Sequence, residues 1–192
     1  MKLVLFIMSF FPTFLPGSNT NLSWEVGKES SVSISGSSNV NEFVFAAKEY
    51  DGRDTLVINL KTTGQKFVFD KGMLRLPVKN FRNGNPMLNK DFKKILDVKN
   101  HPNILMNFKT INGLQKHTDA EVDITLAGKT ITRTIKISTC QKNNSLNLSG
   151  KETLKFSDFG LQAPKNMLGF INVKNELDVE FCLVLKQLKN RP

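Results

Sequence analysis

Leu177-Asp178-Val179-Glu180-Phe181-Cys182-Leu183-Val184-Leu185 places a large apolar residue at every odd position and Asp, Glu, Cys or Val at every even one. Successive side chains of a strand point to opposite faces. This period therefore gathers Leu177, Val179, Phe181, Leu183 and Leu185 on one side, and a helical period of 3.6 would scatter them. The stretch reads as a half-buried β-strand with a dry face and a wet one.

The same period recurs upstream. Val32 and Ile34, Phe43 and Phe45, then Leu56, Ile58 and Leu60 alternate with polar neighbours before a Thr62-Thr63-Gly64 turn, after which Phe67 and Phe69 lead into Met73 to Val78. Further on come Ile104, Met106 and Phe108; Val122, Ile124 and Leu126; Ile135 and Ile137; Leu146 and Leu148; and Leu154 and Phe156. Gly, Asn, Asp and Lys separate the runs. About eight or nine short strands at this spacing predict an all-β antiparallel barrel or sandwich.

One segment departs from the alternation. In Asn85-Pro86-Met87-Leu88-Asn89-Lys90-Asp91-Phe92-Lys93-Lys94-Ile95-Leu96, Asn85 can cap, Pro86 suits the first helical position, and Leu88, Phe92, Ile95 and Leu96 form a single stripe opposite Lys90, Lys93 and Lys94. The spacing predicts a short amphipathic helix that closes the barrel with its apolar side. Asn100-His101-Pro102 is expected to end it, because a residue before proline is pushed to extended geometry.

Met1-Lys2 followed by the apolar run Leu3 to Leu15 and then Pro16-Gly17-Ser18 has the order of a secretory leader, and the run is too short to span a bilayer. The expected division is a signal peptide over residues 1–18 and one barrel domain over 19–192, giving a periplasmic or secreted protein. A domain of that size buries roughly 70% of its unfolded surface, so one core suffices. An oxidising compartment would permit a Cys140–Cys182 bridge, but both cysteines fall on polar strand faces, so two separate surface thiols fit equally. The net charge of +10 becomes +9 when Lys2 leaves with the leader. Its basic residues are spread along the chain without an Arg-rich run or a stacking motif, which argues against nucleic acid and leaves room for transient contact with an anionic membrane surface.

Catalytic chemistry has little to build on. His101 and His117 are the only histidines and do not combine with the two cysteines at metal-ligand spacing. No nucleophile elbow or phosphate-cradling glycine loop is present. Asp178 and Glu180 lie on the outward face of their strand, and only His101 or Asp158 could offer a base to a lipid-modifying enzyme. The expectation is a protein that is not an enzyme and needs no metal.

Fifteen phenylalanines stand against one tyrosine and one tryptophan. Phenylalanine brings apolar area with no polar group to satisfy, so it suits either a dry cavity or a solid core. The inward positions expected to line a cavity are Phe43, Phe45, Phe69, Leu88, Phe92, Met106, Phe108, Ile124, Ile135, Phe181 and Leu183. Burying ten methylenes supplies about 8 kcal/mol before the cost of association, so lipid binding needs a pattern more than a motif.

The order of several short motifs resembles the YceI-like family of lipocalin-like, polyisoprenoid-binding proteins. Trp24-Glu25-Val26 is similar to its opening strand, and Gly36 to Phe43 to a second strand that starts after an Asn-Val-Asn turn. Met87 to Leu96 followed by His101-Pro102-Asn103-Ile104 and Phe108 resembles its helix, proline turn and next strand. Leu126-Ala127-Gly128-Lys129-Thr130 and Ser157-Asp158-Phe159-Gly160 are similar to two further family turns. Pro86 stands where many members carry histidine and Phe156 where arginine is frequent, so the resemblance implies the cavity and an apolar ligand class, not a particular head group. It implies an exported, lipocalin-like barrel that carries or stores a long isoprenoid-type lipid, with that lipid as its only bound group and pairing of two barrels allowed through unspecified surfaces. The alternative is a structural or interaction protein whose barrel is filled.

Overall fold

The computed structural model describes residues 21–47, 50, 52, 54–63, 66–142, 145–166 and 171–188; the expected leader lies outside them. Its strands are β1 (Asn21–Val26), β2 (Ser31–Ser38), β3 (Glu42–Ala47), β4 (Thr55–Thr63), β5 (Lys66–Lys71), β6 (Met73–Pro77), β7 (Asn103–Ile111), β8 (His117–Leu126), β9 (Lys129–Lys142), β10 (Ser145–Lys155), β11 (Lys165–Asn166) and β12 (Ile171–Gln187). Helix α1 (Pro86–Ile95) stands between β6 and β7. The order β1-β4-β5-β7-β8-β9-β10-β12, with β12 paired back to β1, closes an eight-stranded antiparallel ring. The barrel expected from the alternation is what forms.

The ring contains more strand segments than sequence runs suggest because two strands are broken at corners. β12, 17 residues long, takes β10 along one edge and shares the other: Leu185 to Gln187 pair with β1, and Val173 to Cys182 with β2. Between β1 and β2 the chain bends at Gly27, whose N–H donates to the Val184 carbonyl at 2.7 Å, and at Ser30, whose hydroxyl accepts from Val184 N–H at 2.9 Å. β5 and β6 are likewise halves of one strand beside β7, broken at Gly72, where a Cβ would run into the Phe108 carbonyl. Only glycine permits that approach.

These corners make the two ends of the barrel unlike. At the end holding Asn21 and Gln187, backbone pairing joins β12 to β1, β1 to β4 and β4 to β5, the last ladder shifting register on either side of Ile58 and Asn59. At the opposite end the ring continues through β2 and β3 on one side and β6 on the other. There, among the described residues, the seam holds one isolated bridge, Ala46 to Arg82, with both hydrogen bonds at 3.1 Å.

Helix α1 covers that seam. Asn85 accepts from Met87 N–H at 2.9 Å with Pro86 at the first position, and Lys93 and Lys94 in the last turn complement the helix dipole. The helix stops at Ile95 with Leu96 as its cap, at the end of the expected apolar stripe and before Asn100-His101-Pro102. Asp97 adopts φ of +47°, and the N–H groups of Asp97 and Val98 return to the Lys94 and Lys93 carbonyls, a Schellman closure that precedes the proline. The β8–β9 hairpin turns on Ala127 and Gly128 at φ of +48° and +80°, the paired left-handed geometry that matches strand twist.

Candidate functional site

The inward registers of all ring strands meet in one apolar core. At the seam end that core leaves a cavity lined by Val32, Ile34, Leu76, Phe81, Ile104, Met106, Ile124, Leu126, Ile135, Glu152, Leu154, Phe159, Leu177, Val179 and Phe181. Its envelope encloses about 580 Å³ between atoms, including the open mouth, but the centre of a water-sized sphere finds room in only about 40 Å³. A smaller void between Ala47, Leu76, Phe81 and Leu183 lies beside the seam.

Of the eleven residues expected to line a cavity, Met106, Ile124, Ile135 and Phe181 do so, and Leu183 lines the smaller void. The other six lie in two aromatic groups or on α1. Phe45 stacks on Phe92 with ring centroids 4.2 Å apart and planes 15° apart, while Phe43 meets Phe45 edge-on at 5.8 Å and Phe81 meets Phe92 at 6.2 Å. This group plugs the seam. Phe69, Phe108 and Phe181 form a second chain of rings through the middle of the barrel at 5.8 and 6.0 Å. Leu88 is half-buried on α1 against the core.

Two ionisable residues missed in the sequence also occupy inward registers. Arg133 follows Ile131 and precedes Ile135 and Ile137 on β9; Glu152 lies between Leu148 and Leu154 on β10. The alternation that identified their apolar neighbours points to both. β9 and β10 hydrogen-bond only from Ser145 to Gly150, and beyond Ile137 they splay. Arg133 fills the split: its Nη2 donates to Asp158 Oδ2 at 2.7 Å, Nη1 to the Thr132 carbonyl at 3.2 Å, and its Nε lies 4.0 Å from Glu152 Oε1. Burial pushes the Glu152 carboxyl above its usual value, opposed by the nearby Arg133 charge.

The remaining candidates for chemistry are engaged elsewhere. Asp158 also accepts from Lys155 N–H at 3.3 Å, and His117 Nδ1 contacts Ser138 Oγ at 3.1 Å. His101 packs beside Gly128 and does not line the cavity. Asp178 and Glu180 face outward, where Lys151 Nζ bridges them at 3.0 and 3.2 Å, and the Thr153 hydroxyl, then Lys151, lowers the Asp178 carboxyl. Cys140 and Cys182 are separate exposed thiols. Among the described residues no group of three or more His, Cys, Asp or Glu side chains could hold a metal, and no helix is long and apolar enough to cross a membrane.

A closed eight-stranded antiparallel ring with an apolar interior and a helix across one seam is a lipocalin-like barrel. The chain belongs to the YceI-like family: its sequence matches the YceI-like domain over residues 24–185. No curated protein matches it in sequence. Among solved structures, a polyisoprenoid-binding domain from Saccharophagus degradans, implicated in plant cell wall breakdown, superposes with a TM-score of 0.63 at 12% identity, covering 87% of this chain and 99% of that one. BcnA of Burkholderia cenocepacia gives 0.58 at 20% identity over 81% of this chain and 95% of its own, and a YceI protein of Campylobacter jejuni 0.54 at 12% over 70% and 81%. At these identities the likeness is one of fold.

Proposed function

We propose that the protein is an exported carrier or store that holds a long apolar lipid of isoprenoid type inside the barrel, working in the periplasm or as a secreted protein. The observation that carries the reading is the cavity at the seam end, whose lining is apolar except for Glu152. The Saccharophagus domain, described as polyisoprenoid-binding, shares the fold and supports the ligand class. The run from Leu3 to Leu15 supports export. Lys90, Lys93 and Lys94 on the exposed side of α1, with Met87 exposed beside them, form a surface suited to transient contact with anionic lipid head groups during loading.

A second reading, a filled barrel serving structure or interaction, is favoured by the small free volume. Ligand sites for small molecules usually enclose about 300–1,000 Å³, and a water already needs ~10–15 Å³ of such free space. On the carrier reading a long chain therefore enters by displacing side chains, not by filling a finished tunnel. Solvent extraction and mass spectrometry of protein expressed with its leader separate the two. A co-purifying long-chain lipid supports the carrier; protein that carries none and takes up none from an isoprenoid mixture overturns it.

A further inference from the structure

Glu152 is costly where it stands. The inward register of β10 runs Leu148, Gly150, Glu152, Leu154, with both leucines buried and Gly150 against Phe181 and Ile137, and a leucine at 152 would line the same cavity without a charge to desolvate. A carboxylate in such a place is ordinarily held by hydrogen bonds. Among the described residues this one has none: Arg133 Nε stands 4.0 Å away, and the guanidinium already serves Asp158 and the Thr132 carbonyl. The side chains of Glu152, Arg133 and Asp158 remain 25%, 33% and 26% exposed, so the group sits where the cavity meets water.

We infer that Glu152, beside Arg133 at the rim of the apolar cavity, receives the polar end of the bound lipid, and that this end is an uncharged hydroxyl group. The inference rests on the lipid-binding reading above. A chain lying in the cavity passes the Glu152 side chain as it reaches solvent, and a hydroxyl there donates to this carboxylate, whose only partner is the Arg133 charge at 4.0 Å among the described residues, while its own oxygen stays open to water. A phosphate meets two carboxylates and one already paired guanidinium, an unfavourable balance. An ammonium would have to be desolvated at the edge of an apolar wall. Arg133 acts as a positioning residue: Asp158 anchors it and its charge keeps Glu152 turned along the rim.

The test uses the full chain and three C20 probes of the same hydrocarbon: geranylgeraniol, its methyl ether and its monophosphate, each competed against a fluorescent apolar dye. The alcohol is expected to bind about tenfold more tightly than the ether, as a hydrogen bond to a charged acceptor warrants. Glu152→Leu should erase that preference while the ether still binds, which shows the barrel intact. Glu152→Gln, which keeps an acceptor, should retain part of it. Equal binding of alcohol and ether by the unaltered protein, a preference that survives in Glu152→Leu, or a tightest fit for the phosphate each overturns the inference and leaves the carrier reading standing. Uptake of none of the three overturns both.

Discussion

Replacing Phe92 by alanine tests whether side chains, not backbone pairing, close one end of this barrel. Phe92 is 9% exposed and stacks on Phe45 at 4.2 Å with Phe81 a further 6.2 Å contact. Truncating a core phenylalanine costs about 3–5 kcal/mol, and the site lies at the edge of the core, so the lower end applies, about 3 kcal/mol. The ten-residue helix has little to fall back on. A helix this short is marginal alone in water. Its further ties include Leu96 in the core, Leu88 and Ile95 packed half-buried against it, and the reciprocal Asn83–Asn89 bonds at 2.8 and 2.7 Å.

The loss should consequently be local first. Native-state hydrogen exchange is expected to show amides of Asn89 to Leu96 losing about two decades of protection, the equivalent of ~3 kcal/mol, while β8, β9 and β10 amides keep theirs in all but the global unfolding limit. Met87→Ala, at a position 70% exposed, serves as the control and should move stability by less than about 0.5 kcal/mol. Helix protection unchanged in Phe92→Ala, with a urea-derived stability loss under about 1 kcal/mol, would falsify the idea that this stack seals the seam.

Other consequences are equally direct. Gly72→Ala should cost about 1–3 kcal/mol by urea titration, since the new Cβ meets the Phe108 backbone and not a movable side chain. Tyr50, the only tyrosine, donates its hydroxyl to buried Asp54, which also binds Arg75; burial, then that hydrogen bond, raises the phenol above its ordinary 10.0. The unfolded chain loses this proton first as pH rises, so stability should fall above about pH 10, and phenolate absorbance should appear only with unfolding. Tyr50→Phe should remove that alkaline slope and cost about 1.5 kcal/mol at neutral pH through the lost hydrogen bond to a carboxylate, Asp54 keeping its bonds from the Arg75 N–H and guanidinium. Cys140 and Cys182 should both react with a thiol reagent in the native protein, and reductant should leave the melting temperature unchanged; one protected thiol would contradict their exposure.

The strands and the helix were legible because each is written in a local period. Alternation gave both faces of β12, and Asn85-Pro86 marked the start of α1 to the residue. Pairing was not legible. Nothing around Val184 announces that one edge of β12 serves two strands, since the shared edge depends on a corner at Gly27 to Ser30, more than 150 positions away in sequence. The end of α1 falls where the apolar stripe ends, but the device that closes it was not legible, because Asp97 in a left-handed conformation closes a helix as well as glycine does, without its sequence signature. Lining and filling residues share one signal, burial. In sequence, the plug at Phe45 and Phe92 therefore looks the same as the cavity wall at Phe181. Apolar periodicity does not mark Arg133 and Glu152 either, which keep the inward register while breaking its chemistry.

The asymmetry of the barrel bears on how a filled interior could accept a chain. Opening the end at Asn21 and Gln187 would break strand pairing in β1, β4 and β5 and leave buried backbone groups without partners, at about 1–3 kcal/mol for each. The seam between β3 and β6 resists separation through one bridge, the Asn83 Nδ2 bond to the Val44 carbonyl at 2.8 Å and a group of aromatic rings, whose contacts are non-directional and can be replaced by contacts with another hydrocarbon. A lipid chain that slides between Phe45 and Phe92 gives back much of the burial it displaces, whereas water in the same place gives back none. Expansion on loading is therefore cheapest at the seam and against α1. The second yielding point is the split between β9 and β10, where Arg133 and Glu152 substitute side-chain charge for strand pairing. The cavity lies between these two weak lines, which is where a barrel whose neighbouring strands are otherwise joined by backbone pairing can give way to a guest without losing its fold.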